Sequence, residues 1–279
     1  WEKLTKTVSD VYHIAAQVNM VKSLQELYPD NVEALHNIIA FASKDVLKHI
    51  HYASTLSVFV ATDNKERIFK EDSSIDECNI VYGGYAQTKW IAEKILANLS
   101  LPNTIYRFGL LTGNSKTGIS SSHDYLTMFL RGIRSLGVIP DENRDDLSMD
   151  ITPIEFAADL FVELSLLREQ RIFHITSTKS FTLRQIKKAI LKDGVKAIPL
   201  RQWNDFIAKK ELSFEENAAV MALCRLNDTD FKHLRGMDLF QSTNIKFDIT
   251  NVMRELPTFK IPEINQKLLN LYLKRSLNK

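Results

Sequence analysis

Three short runs, Val11–Ala16, Leu47–Ser54 and Thr104–Phe108, carry the residue types of buried strands, and helical periodicity fills the gaps between them. Val32, Leu35, Ile38, Ile39 and Ala42 recur at helical spacing in the first gap, and Ile91, Ile95 and Leu96 in the second. Strand, helix, strand, helix, strand in that order predicts an α/β fold with a doubly wound parallel sheet. Ligands of such sheets sit beyond the carboxyl ends of the strands. Ala15–Ala16, Ser54–Thr55 and Phe108–Gly109–Leu110 fall at those ends.

Downstream, residues 113–123 are rich in Gly, Ser, Thr and Asn and read as a loop. Asp124 opens an amphipathic helix (Tyr125, Phe129, Leu130, Ile133) that stops near Gly137. Pro153 suits the first turn of a helix reaching about Leu167, and Ile172–Ile175 reads as a strand. Residues 183–192, 202–210 and 214–226 look helical, as does the tail from Pro262. A chain of 279 residues holds one large α/β domain, or one core with a smaller appended domain.

The formal charge of +2, with Lys and Arg scattered among Asp and Glu, leaves no electrostatic footprint for nucleic acid. Cys78 and Cys224 fit no metal spacing and read as two idle thiols of a reducing compartment. No apolar run approaches the ~20 residues of a membrane span and no signal peptide is evident, so a cytoplasmic protein is expected. Trp1 in place of Met suggests part of a longer chain.

The chemistry concentrates in Gly83-Gly84-Tyr85-Ala86-Gln87-Thr88-Lys89-Trp90. A tyrosine and a lysine four apart at a helix start share one face, about a turn from each other. In a chain with eight tyrosines this spacing alone is a weak signal, and a surface helix pair explains it as well. Context adds to it: Gly83–Gly84 permits close backbone approach, and Thr55 ends the preceding strand. Hydride delivered to a carbonyl carbon builds negative charge on oxygen, and one preplaced donor is worth roughly 3–4 kcal/mol of barrier. Tyr85 would be that donor and the proton source. Lys89 would lower its pKa and hold ribose hydroxyls, and Thr55 would be the second donor.

Other candidates have plainer readings. His49 and His51 alternate on a strand but lack a third ligand, so no metal site is expected. His13 reads as a locally bonded or packed residue. Ser120–Asp124 tempts a hydrolase assignment, yet a loop with a Ser or Asp N-cap explains it better. Trp203 reads as core, and Asp145–Asp146 and Glu215–Glu216 as solvated charges.

The stretches VYHIAAQVN, HYASTLSVF, GGYAQTKWIAEKIL, IYRFGLLTGNSKTG and DITPIEFAADLFVELS, in this order and spacing, resemble the extended short-chain dehydrogenase/reductases. More narrowly, they resemble the thioester reductase domains that end non-ribosomal peptide and polyketide synthetases. With the linking residues the resemblance covers about residues 1–175, and 176–279 match only by position. It implies a Rossmann-like, N-terminally incomplete NADP-binding core over 1–112 and 150–175. A smaller, mainly helical substrate-binding region would take 113–149 and 176–279. It further implies Thr55, Tyr85 and Lys89 as catalytic residues. Ala15, Ala16, Asn31, Phe108, Gly109 and Leu110, together with Tyr85 and Lys89, would bind the cofactor. The implied reaction is NADPH-dependent reductive release, as an aldehyde or alcohol, of an acyl or peptidyl chain held on a phosphopantetheinylated carrier protein.

The family usually has proline at the position of Phe108, so here a fixed φ is lost and a backbone donor gained. The family also opens with a Gly-rich turn that cradles the cofactor pyrophosphate. Trp1 corresponds to a point beyond that turn, and the nine glycines include no G-x-x-G-x-x-G. The expectation is that these 279 residues bind NADPH weakly or not at all without the upstream segment. An extended relative acting on acyl-CoA or a nucleotide sugar, and a catalytically silent docking module, stay open as alternatives.

Overall fold

The computed structural model describes residues 1–19, 22–59, 67–77, 81, 83–141, 148–223 and 245–276. Cys78, Cys224, Asp145–Asp146 and the end of the helix expected over 214–226 lie outside these. Two compact units emerge, the first from Trp1–Gly109, Ala158–Thr176 and Lys246–Lys260, the second from Leu110–Ala157, Ser177–Ile245 and Ile261–Lys279.

The first unit begins with α1 (Glu2–Thr7), β1 (Asp10–His13) and α2 (Leu24–Tyr28). A π-helical turn (Pro29–Glu33) leads into α3 (Ala34–Ser43), followed by β2 (His49–Thr55), β3 (Arg67–Phe69), α4 (Gly84–Ala97) and β4 (Asn103–Phe108). Segments returning from the second unit add most of α6 (Ile154–Leu167), then β9 (Ile172–Ile175), β12 (Ile245–Phe247) and α10 (Thr250–Glu255). The main sheet has the order β1-β2-β4-β9 and is parallel throughout. This is the Rossmann-like, doubly wound α/β architecture expected from the strand–helix alternation. Leu35 and Ala42 of α3 and Ala92 and Leu96 of α4 bury one sheet face against Ile50, Tyr52 and Ile105. On the opposite face, Phe161 of α6 meets Tyr106 edge-on at 4.6 Å between ring centroids.

All seven residues of β2 are buried although four of them are His, Ser or Thr. Burial of these four side chains is tolerated because each finds a partner, whereas the Tyr52 hydroxyl in the same strand has none. His49 Nε2 bonds Thr104 Oγ1 at 2.7 Å, and His51 lies between Tyr106 Oη at 2.9 Å and Asp10 Oδ1 at 3.3 Å. Both imidazoles are thereby committed to sheet neighbours. Burial brings His49 down to about 4. The first strand is shorter than expected, ending at His13, and it lies at the sheet edge with Tyr12 and Ile14 exposed. Residues 246–260 return to the first unit, where β12 pairs with β3 and Asn251 of α10 donates to the Ile172 carbonyl at 3.3 Å.

The second unit packs α5 (Tyr125–Leu136), α7 (Leu183–Lys192), α8 (Leu200–Ala208), α9 (Phe214–Leu223) and α11 (Gln266–Ser276) around one apolar core. Phe129, Leu130 and Ile133 give α5 its buried stripe at the spacing read from the sequence, joined by Leu126, whereas Tyr125 packs only partly buried against the same core, which also holds Trp203. Asp124 caps α5 by accepting from Leu126 N and Thr127 N, and Gly137 ends it at φ +70°. Asp124 is therefore occupied as an N-cap, while Ser122 and His123 face solvent. Short pairs complete the unit: β5 (Leu111–Thr112) with β8 (Thr152–Pro153), β6 (Val138–Pro140) with β11 (Lys196–Ile198), and β7 (Ser148–Asp150) with β10 (Ser180–Thr182). Pro153 thus ends a strand and α6 starts after it. Glu216 departs from its expected role as a solvated charge. It is 4% exposed and accepts from Ser135 Oγ at 2.6 Å, with Lys210 Nζ 3.3 Å away. Among the described residues no helix is long and apolar enough to cross a membrane.

Candidate active site

Gly83, at φ +85°, turns the chain into α4, whose first turns carry Tyr85 and Lys89. Gly84 is required by close packing: a Cβ there would lie 2.5 Å from the Lys22 carbonyl oxygen. The glycine pair therefore seats the helix against residues 22–24 and fixes where its tyrosine begins.

Lys89 is almost wholly buried, at 2% exposure. Its Nζ donates to the Ala53 carbonyl at 2.7 Å and stands 4.6 Å from the centroid of the Tyr52 ring. The same Nζ is 6.0 Å from the centroid of the half-buried Tyr85 ring. Burial brings Lys89 down to about 8, opposed by the charge of Glu93 one turn further along. Burial also pushes the Tyr85 phenol up to about 12. The depression of Tyr85 by its neighbouring cation, expected from spacing alone, does not appear, and desolvation governs the phenol. Tyr85 is accordingly a neutral phenol, and its hydroxyl has no hydrogen-bond partner among the described residues.

Thr55 ends β2 two residues beyond the carbonyl that holds Lys89. Its hydroxyl donates to Ser57 Oγ at 3.1 Å and accepts from Ser57 N at 3.1 Å. The structure thus gathers Tyr85 and Lys89 around the end of β2, with the Thr55 hydroxyl turned to Ser57. His13, at the end of β1, lies 5.5 Å ring to ring from Tyr52, and burial together with the Lys89 charge pushes its pKa down.

The other sequence-derived positions divide by environment. Ala15 is exposed and Ala16 half-buried in the segment after β1. Asn31 is 2% exposed and its amide is fully engaged. Its Oδ1 accepts from Gln17 N at 2.7 Å, and its Nδ2 donates to Gln17 O and Thr88 Oγ1, both at 3.1 Å. Asn31 therefore ties the segment after β1 to α4 beside Lys89. Phe108 packs on Phe161 at 5.7 Å, Gly109 N donates to Ile175 O at 2.9 Å, and Leu110 opens the second unit against its core.

Sequence reasoning missed one buried ion pair. Arg107 Nε lies 3.1 Å from both Glu93 carboxylate oxygens and Nη2 lies 2.7 Å from Oε2, while Ser54 Oγ donates to Oε1 at 2.5 Å. A signal was available: Glu93 follows Lys89 by the same four residues that separate Lys89 from Tyr85.

The doubly wound parallel sheet defines a Rossmann-like fold, with a buried lysine one turn from a tyrosine beside the end of β2. The chain belongs to the NAD-binding family described as male sterility protein, whose model matches residues 1–161. It is 29% identical over 230 residues to a linear gramicidin synthase of Brevibacillus parabrevis, covering 78% of this chain and 4% of that protein. With the L-2-aminoadipate reductase large subunit of Eremothecium gossypii it shares 27% identity over 270 residues, 88% of this chain and 19% of the relative. Among solved structures, the terminal R domain of the myxalamid PKS-NRPS biosynthetic pathway superposes with a TM-score of 0.79 at 24% identity, covering 98% of this chain and 69% of that one. The chain thus spans a minor part of the length of the curated relatives it matches.

Proposed function

We propose that this chain carries the carbonyl-reducing centre of an NADPH-dependent reductase that releases a carrier-tethered acyl or peptidyl thioester as an aldehyde. The observation that carries the reading is Lys89, buried as an ammonium donor at the end of β2 and one turn from a protonated tyrosine. Similarity to a linear gramicidin synthase and to an L-2-aminoadipate reductase supports a reductase within a larger biosynthetic protein, and a carrier-tethered thioester is the substrate we infer for that setting.

The residues present fit the ribose and nicotinamide end of the cofactor. Lys89 uses one of its three donors on Ala53, which leaves two for ribose hydroxyls. Ala15 and Ala16, after β1, and Gly109, after β4, carry only a methyl group or no side chain on either side of the end of β2. When bound, NADPH supplies the hydride. Tyr85, held neutral by burial, donates to the carbonyl oxygen as negative charge develops there. Thr55 becomes the second donor once its hydroxyl turns from Ser57 to the substrate. Collapse of the tetrahedral hemithioacetal expels the carrier thiol. The second unit is the proposed acyl-binding region.

The test is NADPH consumption by the full-length protein with a phosphopantetheine-bound acyl carrier as substrate. Tyr85→Phe should lower kcat by about 10²–10³-fold while NADPH still binds through Lys89. Equal turnover by the variant would remove Tyr85 from the mechanism.

A further inference from the structure

Tyr85, Lys89 and Glu93 occupy successive turns of one face of α4. The first two belong to the proposed chemistry, and the third is spent on a different partner. The Glu93 carboxylate takes Arg107 side-on and also accepts from Ser54 Oγ, and all three side chains are nearly inaccessible at 2%, 1% and 3% exposure respectively. Arg107 is further enclosed by the Phe59 ring, 4.7 Å from its guanidinium carbon, and by the Glu71 carbonyl at 3.4 Å. Ser54 immediately precedes Thr55, and Arg107 immediately precedes Phe108–Gly109. One carboxylate therefore joins the helix of Tyr85 and Lys89 to two of the strand ends that border the site.

A buried ion pair is weak evidence of stability, because desolvation offsets much of the attraction. What this pair fixes is the place of a negative charge. Around Lys89, the titratable and charged groups are Tyr85 and Glu93 on its own helix, Tyr52 on β2 and His13 on β1. Glu93 is the one carboxylate of this set. Its acceptor positions are taken by Arg107 and Ser54, so it acts on Lys89 through space.

We propose that Glu93, held by Arg107 and Ser54, is a positioning residue that keeps Lys89 charged and aimed at the end of β2. The catalytic consequence rests on the reductase reading above, whereas the electrostatic one does not. Without the Glu93 charge, burial acts on Lys89 unopposed, and the ammonium gives up its proton at lower pH.

The experiment is a titration of Lys89 by NMR in protein carrying ¹³Cε-labelled lysine, with the resonance assigned through Lys89→Arg. The wild-type midpoint is expected near 8. Glu93→Gln should lower it by about one unit. Because this change leaves Arg107 buried without its counter-charge, the double variant Glu93→Gln with Arg107→Met removes both charges together and should show a smaller fall in the same direction, since the lost Arg107 cation had opposed protonation of Lys89 from further away. The high-pH limb of kcat/KM for carrier-thioester reduction should move with it, giving about tenfold less activity at a pH above both midpoints. A lowered midpoint in a chain without reductase activity would sustain the role of Glu93 and defeat the reductase reading. An unmoved midpoint in the folded double variant would overturn the proposal, whatever happens to stability.

Discussion

Asn31 offers a direct measure of how tightly the segment after β1 is held. Asn31→Ala removes three hydrogen bonds from a residue that is 2% exposed. Two of them serve the backbone N–H and C=O of half-buried Gln17, which water can partly rehydrate, so each costs about 1 kcal/mol. The third reaches Thr88 Oγ1, which keeps its own donation to Tyr85 O at 2.7 Å, so its loss costs less. The sum is about 2–3 kcal/mol for local opening of this segment, or about 30- to 150-fold in the opening equilibrium. Because the chain forms two compact units, a single unfolding free energy is the wrong measure. Native-state amide exchange resolves it locally: the Gln17 amide should exchange about 30- to 150-fold faster in the variant. The Ile105 amide, bonded to Arg171 O at 3.0 Å in the sheet, should keep its wild-type rate. An acceleration of Gln17 below about fivefold would refute the assignment of Asn31 as the clamp.

Two further outcomes follow from the same packing. Gly84→Ala places a Cβ 2.5 Å from the backbone of Lys22 and Ser23, where no flexible side chain can yield. It should destabilise the first unit by about 1–3 kcal/mol, read as faster exchange through the first turn of α4, and unchanged exchange would refute the close approach. Glu71, buried and accepting from His174 N and Asn251 N, is pushed by burial from 4.5 up to about 7. The folded chain thus holds a proton that the unfolded chain loses, and this stabilising contribution is full below pH 4.5 and gone above about 7. Glu71→Gln should therefore lose ground to wild type as pH falls across that window, by up to about 3 kcal/mol in β9 amide exchange, and a pH-independent difference would refute the shift.

What was legible in the sequence was whatever local periodicity specifies. The central strands, α4 and the amphipathic α5 with its Asp124 cap and Gly137 stop appear within a few residues of where pattern and capping chemistry put them. The paired strands of two or three residues that flank the sheet and the second unit are too short to carry a period of two. The π turn that presents Asn31 to Gln17 and Thr88 has no residue signature of its own. Buried charge was the least legible feature. Glu216 follows Glu215 in a run that reads as solvent-facing, and only its approach to Ser135 and Lys210 draws it inside.

Glu93 and Arg107 show why this class of residue escapes a reading by spacing. Each looks like an ordinary charge, Glu93 on a helix and Arg107 inside a strand, fourteen residues apart. Their meeting depends on the register that sets Thr55 beside Phe108 and on α4 covering that sheet face. The same register brings Lys89 to Ala53, because Ala53 and Ser54 are consecutive on β2 and Lys89 and Glu93 are consecutive turns of α4. The buried pair and the lysine contact are thus two rungs between one helix and one strand. A shift of α4 along β2 that broke one would strain the other, so the geometry of the Tyr85–Lys89 pair is set by a carboxylate that touches neither.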